Sequence, residues 1–241
     1  MLGLSTGLMY ERSASTFMDL KQATGGTAAG LRLWLKHNTG VTAAKWTDSS
    51  GRNNHALQST DLNKGAPSGG GLELNGTTDF YNLTTRIDIN DASGFCLAVV
   101  LTLDDTGDGN TIISDSANEL IQLDSNRRIT IETNDPNNVT TTLDFAGTPF
   151  QTIKTLILLN RIEGNPAEYK TFKNGTVLTI DTDTTSNEEN ANGFQIDTLF
   201  SNGGTSDFLN ATVFELAFWD RALTNQEIVD VHYYLKNIHG L

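Results

Sequence analysis

The sequence predicts an all-β protein: an antiparallel β-sandwich preceded by an N-terminal arm and closed by one C-terminal helix. Three observations carry this expectation. Short apolar or alternating runs recur at close spacing along the 241 residues, separated by Gly, Asn, Asp and Thr; that is the rhythm of a sandwich, not of alternating strands and helices. Thr, Asn, Asp and Gly dominate the polar set, and they favour strands and turns over helix interiors. Strong helix signals gather at the C-terminus alone.

Taken in order, residues 1–29 read as the arm and residues 30–241 as the domain. The arm is small and polar but carries Leu2, Leu4, Leu8, Met9, Tyr10, Phe17, Met18 and Leu20 without a sustained period. A short helix is expected around 16–23. "LRLWLK" then alternates, with Leu31, Leu33 and Leu35 on one face and Trp34 on the other. "LELNG" and "DFYNL" read as short strands around a turn. "FCLAVVLTL" is continuously apolar, which suits a central strand covered on both faces. "LIQLD", "RITIE" and "TTTLDF" follow, and "IKTLILLN" is a second buried strand. "EYKTFKNGTVLTID" is a hairpin, because Asn174-Gly175 supplies the two positive-φ residues of a type I′ turn. "FQIDTLF" and "ATVFELAFWD" complete the set. Strict alternation in the last puts Phe214, Leu216 and Phe218 on one face, and Glu215, Ala217 and Trp219 on the other. Trp219 is expected beneath the C-terminal helix, since exposed large aromatics are uncommon. That helix is "TNQEIVDVHYYLKNIHG": Thr224 and Glu227 form a capping box, Ile228, Val231, Leu235 and Ile238 form a stripe, and Gly240 ends it.

The formal net charge is −13 and the sixteen basic residues are scattered, which sets aside nucleic acid and anionic membrane as partners. The single cysteine, Cys96, lies in an apolar run and reads as a small buried hydrophobe. The N-terminus lacks the basic start and unbroken apolar stretch of a signal peptide, and no run approaches the ~18 apolar residues of a spanning helix.

Set in order, these pieces carry a family likeness. "LRLWLK", "WTDSSGRNNHALQ", "LELNGTTDFYNL", "FCLAVVLTL", "YKTFKNGTVL" and "ATVFELAFWDRALTNQEI" resemble, over about residues 30–241, the laminin-G-like, concanavalin A-like jelly rolls of bacterial and phage proteins. The arm followed by this domain also resembles structural proteins of tailed phages. The resemblance implies a jelly-roll sandwich. It further implies a non-enzymatic virion structural or decoration protein, held by subunit contacts of its arm and located in the virion after assembly in the host cytoplasm. Leu2, Leu4, Leu8, Met9, Tyr10 and Phe17 would then meet other virion proteins or copies of the chain. The alternative function is a lectin-like, carbohydrate-binding module on a host-recognition fibre, with a glycan as partner.

In the resembled family the aspartate of the Asp-x-Ser-Gly turn sometimes helps hold a structural calcium with a carboxylate of the closing strand. Here these are Asp48 and Glu215. The family's usual Asp-Glu pair is Phe214-Glu215 in this chain, so a Ca²⁺ shell of ~6–8 oxygens is harder to complete. The favoured reading is a turn in which Asp48 caps backbone N–H groups, with no cofactor. His55 reads as a surface histidine. "LDDTGDGNTIISD" matches part of an EF-hand loop through Asp104, Asp108, Gly109, Asn110 and Asp115, but strand-like flanks make it a hairpin loop with solvated acids. No catalytic set emerges. Glu119/Asp124 and Glu215/Asp220 are each five apart, an odd offset that puts the partners on opposite faces of a strand.

Overall fold

The computed structural model of the protein describes residues 19–24, 30–90, 93–104, 109–115, 119–125, 127–133, 139–150, 152–163, 167–185 and 193–241. In chain order the strands are β1 (Leu31–Leu35), β2 (Val41–Thr42), β3 (Lys45–Trp46), β4 (Ala56–Leu57), β5 (Ala66–Ser68), β6 (Gly71–Asn75), β7 (Tyr81–Ile89), β8 (Phe95–Leu103) and β9 (Asn110–Ser114). They continue with β10 (Leu120–Ser125), β11 (Arg128–Thr133), β12 (Val139–Phe145), β13 (Thr155–Ile162), β14 (Glu168–Lys173), β15 (Thr176–Val177), β16 (Ile180–Thr185), β17 (Phe194–Leu199) and β18 (Asn210–Trp219). Two helices flank them, α1 (Leu20–Ala23) and α2 (Asn225–His239).

Among the described residues the strands form two sheets, every pairing antiparallel. One, of eight strands, runs β15-β14-β13-β8-β18-β6-β5, with β1 also paired to β18. The other, of ten, runs β16-β12-β11-β10-β9-β17-β7-β4-β3-β2. The predicted antiparallel sandwich is therefore present, with the C-terminal helix that closes it. The two sheets enclose one apolar layer, to which β8 contributes Phe95, Leu97, Val99, Leu101 and Leu103, and β10 and β11 contribute Ile121, Leu123, Ile129 and Ile131. A second cluster lies on the outer side of the eight-stranded sheet, where Cys96, Ala98, Val100, Leu156, Leu158 and Trp219 meet Leu20 of α1 and Val231, Tyr234 and Leu235 of α2. The continuous apolar runs of β8 and β13 are thus explained, since both faces are covered.

Two β-bulges alter the predicted faces. Val213 pairs with Leu101 and Glu215 with Val100, leaving Phe214 as the extra residue. Phe214 consequently turns to the outer cluster beside Ala217 and Trp219, while Val213, Leu216 and Phe218 stay inside. A second irregularity between Leu31 and Leu33 sends Leu31 outward, whereas Leu33 and Leu35 point into the core. Strict alternation placed both residues on the wrong face. The turn after Asn174 has the expected positive φ at Asn174 (47°) and Gly175 (81°). Its second arm pairs only through Thr176–Val177, after which β16 joins the other sheet beside β12. "LELNG" and "DFYNL" likewise enter different sheets, as β6 and β7, with Asp79 holding the intervening turn through the Asn75 amide.

The α2 caps follow the sequence: Thr224 and Glu227 complete the capping box, and Gly240 has φ 68°. Its buried stripe is Ile228, Val231, Tyr234, Leu235 and His239, with Ile238 left 37% exposed. His239 takes the expected place of Ile238 because the buried carboxylate of Glu215 binds its ring, Nε2 to Oε2 at 2.8 Å. The described part of the arm, residues 19–24, packs on the domain. Leu20 is fully buried, the Trp219 indole N–H donates to Thr24 Oγ1 (3.4 Å), and Arg221 donates to the Thr24 carbonyl (3.3 Å). Leu2, Leu4, Leu8, Met9, Tyr10 and Phe17, the predicted partner-binding residues, lie outside the described residues.

Candidate functional site

The outer side of the eight-stranded sheet is taken up by α1 and α2, whereas the outer side of the ten-stranded sheet is lined with polar side chains. The alternation that sends Ile121, Leu123, Ile129, Ile131 and Leu143 inward sends Gln122, Asp124, Thr130, Glu132 and Thr142 outward. Register turns these into rows. Thr111, Gln122, Thr130 and Thr142 stand side by side across β9, β10, β11 and β12. A neighbouring row runs Asn82, Thr198, Ser114, Leu120, Glu132 and Thr140 from β7 to β12. Cross-strand neighbours lie ~5 Å apart, so the first row is a ladder of hydroxyl and amide groups and the second adds a carboxyl group and is interrupted by the buried Leu120.

At one end of this face Arg128 binds Asp124 and Asp144, each at 3.1 Å, and Thr130 Oγ1 donates to Asp124 (3.2 Å). In the middle two buried polar atoms, Gln122 Oε1 and Thr111 Oγ1, have no hydrogen-bond partner among the described residues. Thr111 is wholly buried and Gln122 partly so. A buried polar group without a partner costs about 1–3 kcal/mol, which makes these two atoms the least satisfied on the face. Burial raises the pKa of Glu132, and the charges of Asp207 and Asp124 push it further up.

Asp207 belongs to residues 200–209, a loop tightly built against β9. The Thr111 amide donates to the Asp207 carbonyl (3.1 Å), Ser114 Oγ donates to the Ser201 carbonyl (2.6 Å), and the Gly203 amide donates back to Ser114 Oγ (3.1 Å). The loop starts at Phe200, whose φ of 70° is left-handed, a costly conformation for a bulky side chain. It also carries Phe208, half-buried against Phe80 with ring centroids 6.4 Å apart.

The sequence singled out other residues. Asp48 is buried beneath the opening turn. Its Oδ1 accepts from the amides of Trp34 (2.9 Å) and Ser50 (2.8 Å), and its Oδ2 from Ser50 Oγ (2.7 Å) and the Asn54 amide (2.9 Å). Glu215 is buried at the other end of Trp34, where its Oε1 accepts the indole N–H at 2.6 Å and its Oε2 meets His239. Protein donors thus surround both carboxylates, an arrangement suited to pinning Trp34 rather than to an oxygen-rich Ca²⁺ shell. Among the described residues no group of three or more His, Cys, Asp or Glu is placed to hold a metal. His55 is half-buried, and its Nδ1 accepts the Asp48 amide at 3.1 Å. Asp104 follows β8 and Asn110 opens β9, so the EF-hand-like stretch is flanked by strands in different sheets; Asp108 lies outside the described residues. Glu119 is buried and accepts the Gln195 amide (2.6 Å).

A second concavity, of about 400 Å³, lies between α2 and the β13–β14 edge, lined by Leu156, Leu158, Phe172, Gly175, Ile228 and His232 among others. Burial lowers the His232 pKa. The walls are apolar apart from His232 and Asn225, which offers a poly-hydroxylated ligand little to bond to.

Sequence reasoning did not find the polar rows. Their signal is present in "LIQLDSNRRITIET", where Gln122, Asp124, Thr130 and Glu132 alternate with core aliphatics.

No protein-family model and no curated protein matches the chain. Solved structures do. Trypanosoma rangeli sialidase is 16% identical with a TM-score of 0.54, over 88% of this chain and 33% of that one. The botulinum neurotoxin serotype G binding domain is 15% identical with a TM-score of 0.54, over 85% and 51%. Botulinum neurotoxin type C, described as entering cells in dependence on two ganglioside molecules, is 14% identical with a TM-score of 0.55, over 86% and 51%. The chain spans about a third of the sialidase and half of the neurotoxin chains. At these identities the likeness is one of fold: a β-sandwich.

Proposed function

We propose that the protein is a carbohydrate-binding module that recognises a glycan on the outer face of its ten-stranded sheet and performs no chemistry on it. One observation carries this reading. The face that the helices do not cover carries rows of hydroxyl, amide and carboxyl groups, interrupted by Leu120, in which Thr111 Oγ1 and Gln122 Oε1 are buried without protein partners among the described residues. A sugar supplies hydroxyl groups at the spacing of such rows, and the half-buried Phe80–Phe208 pair at the loop adds an apolar surface of the kind a pyranose ring packs on. The solved neighbours support the reading, since they include a sialidase in complex with sialic acid and a toxin dependent on gangliosides. Glu119 and Glu215, the glutamates of the two carboxylate pairs, are buried and bonded within the fold, which supports binding without hydrolysis.

The virion setting rests on the arm, whose predicted partner-binding residues Leu2, Leu4, Leu8, Met9, Tyr10 and Phe17 lie outside the described ones; a glycan-binding module on a host-recognition fibre is compatible with it. A glycan array tests the proposal. The expected result is at least one low-micromolar ligand whose binding falls tenfold or more in Gln122→Ala, with an unchanged circular dichroism spectrum. A blank array together with co-sedimentation of the protein with capsids or tails contradicts it and returns the structural role to the lead.

A further inference from the structure

The same face carries charge of one sign, and this restricts what it binds. Its described acids include Asp88, Asp124, Glu132, Asp144 and Asp197 on the strands and Asp207 on the loop; its described cations are Arg86, Arg127 and Arg128, with Lys45 at the far end of the face on β3, four strands (~19 Å) from Ser114. The three arginines are already committed. Arg86 pairs with Asp88 (2.8 Å), Arg128 with Asp124 and Asp144, and Arg127 with Asp144 (3.8 Å). Asp207 is held by Ser206 Oγ (2.8 Å) and Asp197 by Thr198 Oγ1 (2.8 Å), donors that leave the negative charge in place. Around the two unpartnered atoms, Thr111 Oγ1 and Gln122 Oε1, the surplus is therefore anionic, in a chain of net charge −13.

We infer that this site takes a carboxylate-free saccharide, built of neutral hexose or free-amine hexosamine units, and rejects sialylated and other anionic glycans. The inference rests on the glycan-binding reading above. Hydroxyl and ammonium groups donate to the acceptors that the face leaves open. A sugar carboxylate would instead lie beside Glu132 and Asp207, where the nearest described guanidiniums are paired and the Lys45 ammonium is four strands away, and like charges in such a site are strongly disfavoured. Discrimination by an unpaired buried charge is a repulsive device, so it costs the preferred ligand nothing. The ligand class thereby differs from the sialic acid of the sialidase complex, although the fold is shared.

Calorimetric titration with matched probes decides the matter: lactose against its sialylated form, with cellohexaose and a deacetylated chito-hexamer beside them. The uncharged or amino-bearing probes are expected to bind at least tenfold more tightly than the sialylated one. In the double variant Glu132→Gln, Asp207→Asn that ratio should fall below threefold, with the fold checked by circular dichroism. Tighter binding of the sialylated probe overturns this inference and leaves glycan binding standing. An unchanged ratio in the double variant also overturns it, because the charges would not be its source. Failure of all four probes and of the array contradicts the glycan-binding reading itself, and this inference with it.

Discussion

At Glu132 a carboxyl group stands on a crowded sheet face between the charges of Asp207 and Asp124, and burial is the main reason its pKa is raised. A carboxyl whose pKa is raised in the folded state binds its proton more tightly there. It costs the fold nothing while protonated, and a penalty develops as pH rises from the ordinary carboxylate range through the raised value. Glu132→Gln should therefore raise the melting temperature by about 1–3 °C at pH 7 and by nothing at pH 3. Melting curves at both pH values check this; a gain that is equal at the two would show that the charge is not its source, and a loss at pH 7 that Glu132 is paired rather than repelled. The neighbouring reading of Asp48 as a turn anchor was legible from "TDSSG" alone, since a short carboxylate before a Ser-Gly turn finds backbone donors within a few residues. The partners of Glu215 were not, because Trp34 and His239 are brought to it by two separate elements.

Within the elements, the apolar runs of β8 and β13 announced buried strands, and the capping box announced α2. The bulges stayed hidden because an alternating sequence has no mark for the residue that pairing skips. Phe214 is the case in point. Alternation assigns it to the core with Phe218, but the structure sets it on the outer side, against the rings of His37 and His239 and beneath the Lys154 ammonium. Truncation separates the two positions. Phe218→Ala should cost about 3–5 kcal/mol, the range for a core aromatic, and Phe214→Ala about 1–2 kcal/mol. Urea unfolding measures both, and equal costs would place Phe214 in the inter-sheet core and refute the bulge. Val231→Ala in α2 should also destabilise, by about 1–2 kcal/mol, since its side chain is fully buried over the sheet.

For the molecule as a whole, the order of strands and the closing helix could be read from the chain, but the assignment of strands to two sheets could not, because it depends on pairings far apart in sequence. β18 is the example: it pairs with β8, β6 and β1, and only those contacts bring the start of the domain beside its end. They also fix where the arm begins to matter. Removing residues 1–24 strips Leu20 and Thr24 from Trp219 and should make the domain melt several degrees below a chain lacking only residues 1–18, at about 2–4 °C per kcal/mol. Identical melting for the two truncations would show that α1 adds nothing to the domain. Under the proposed function the two faces of the sandwich have different roles, one covered by helices and one that binds a ligand. Amide chemical-shift mapping during titration with cellohexaose or the chito-hexamer tests that division most directly. The account predicts that the perturbed amides cluster on β9, β10, β11 and β12 and on residues 200–209, with α2 and the β13–β14 edge unmoved. Perturbations confined to α2, Phe172 and His232 would contradict it and move the binding site to the apolar cleft.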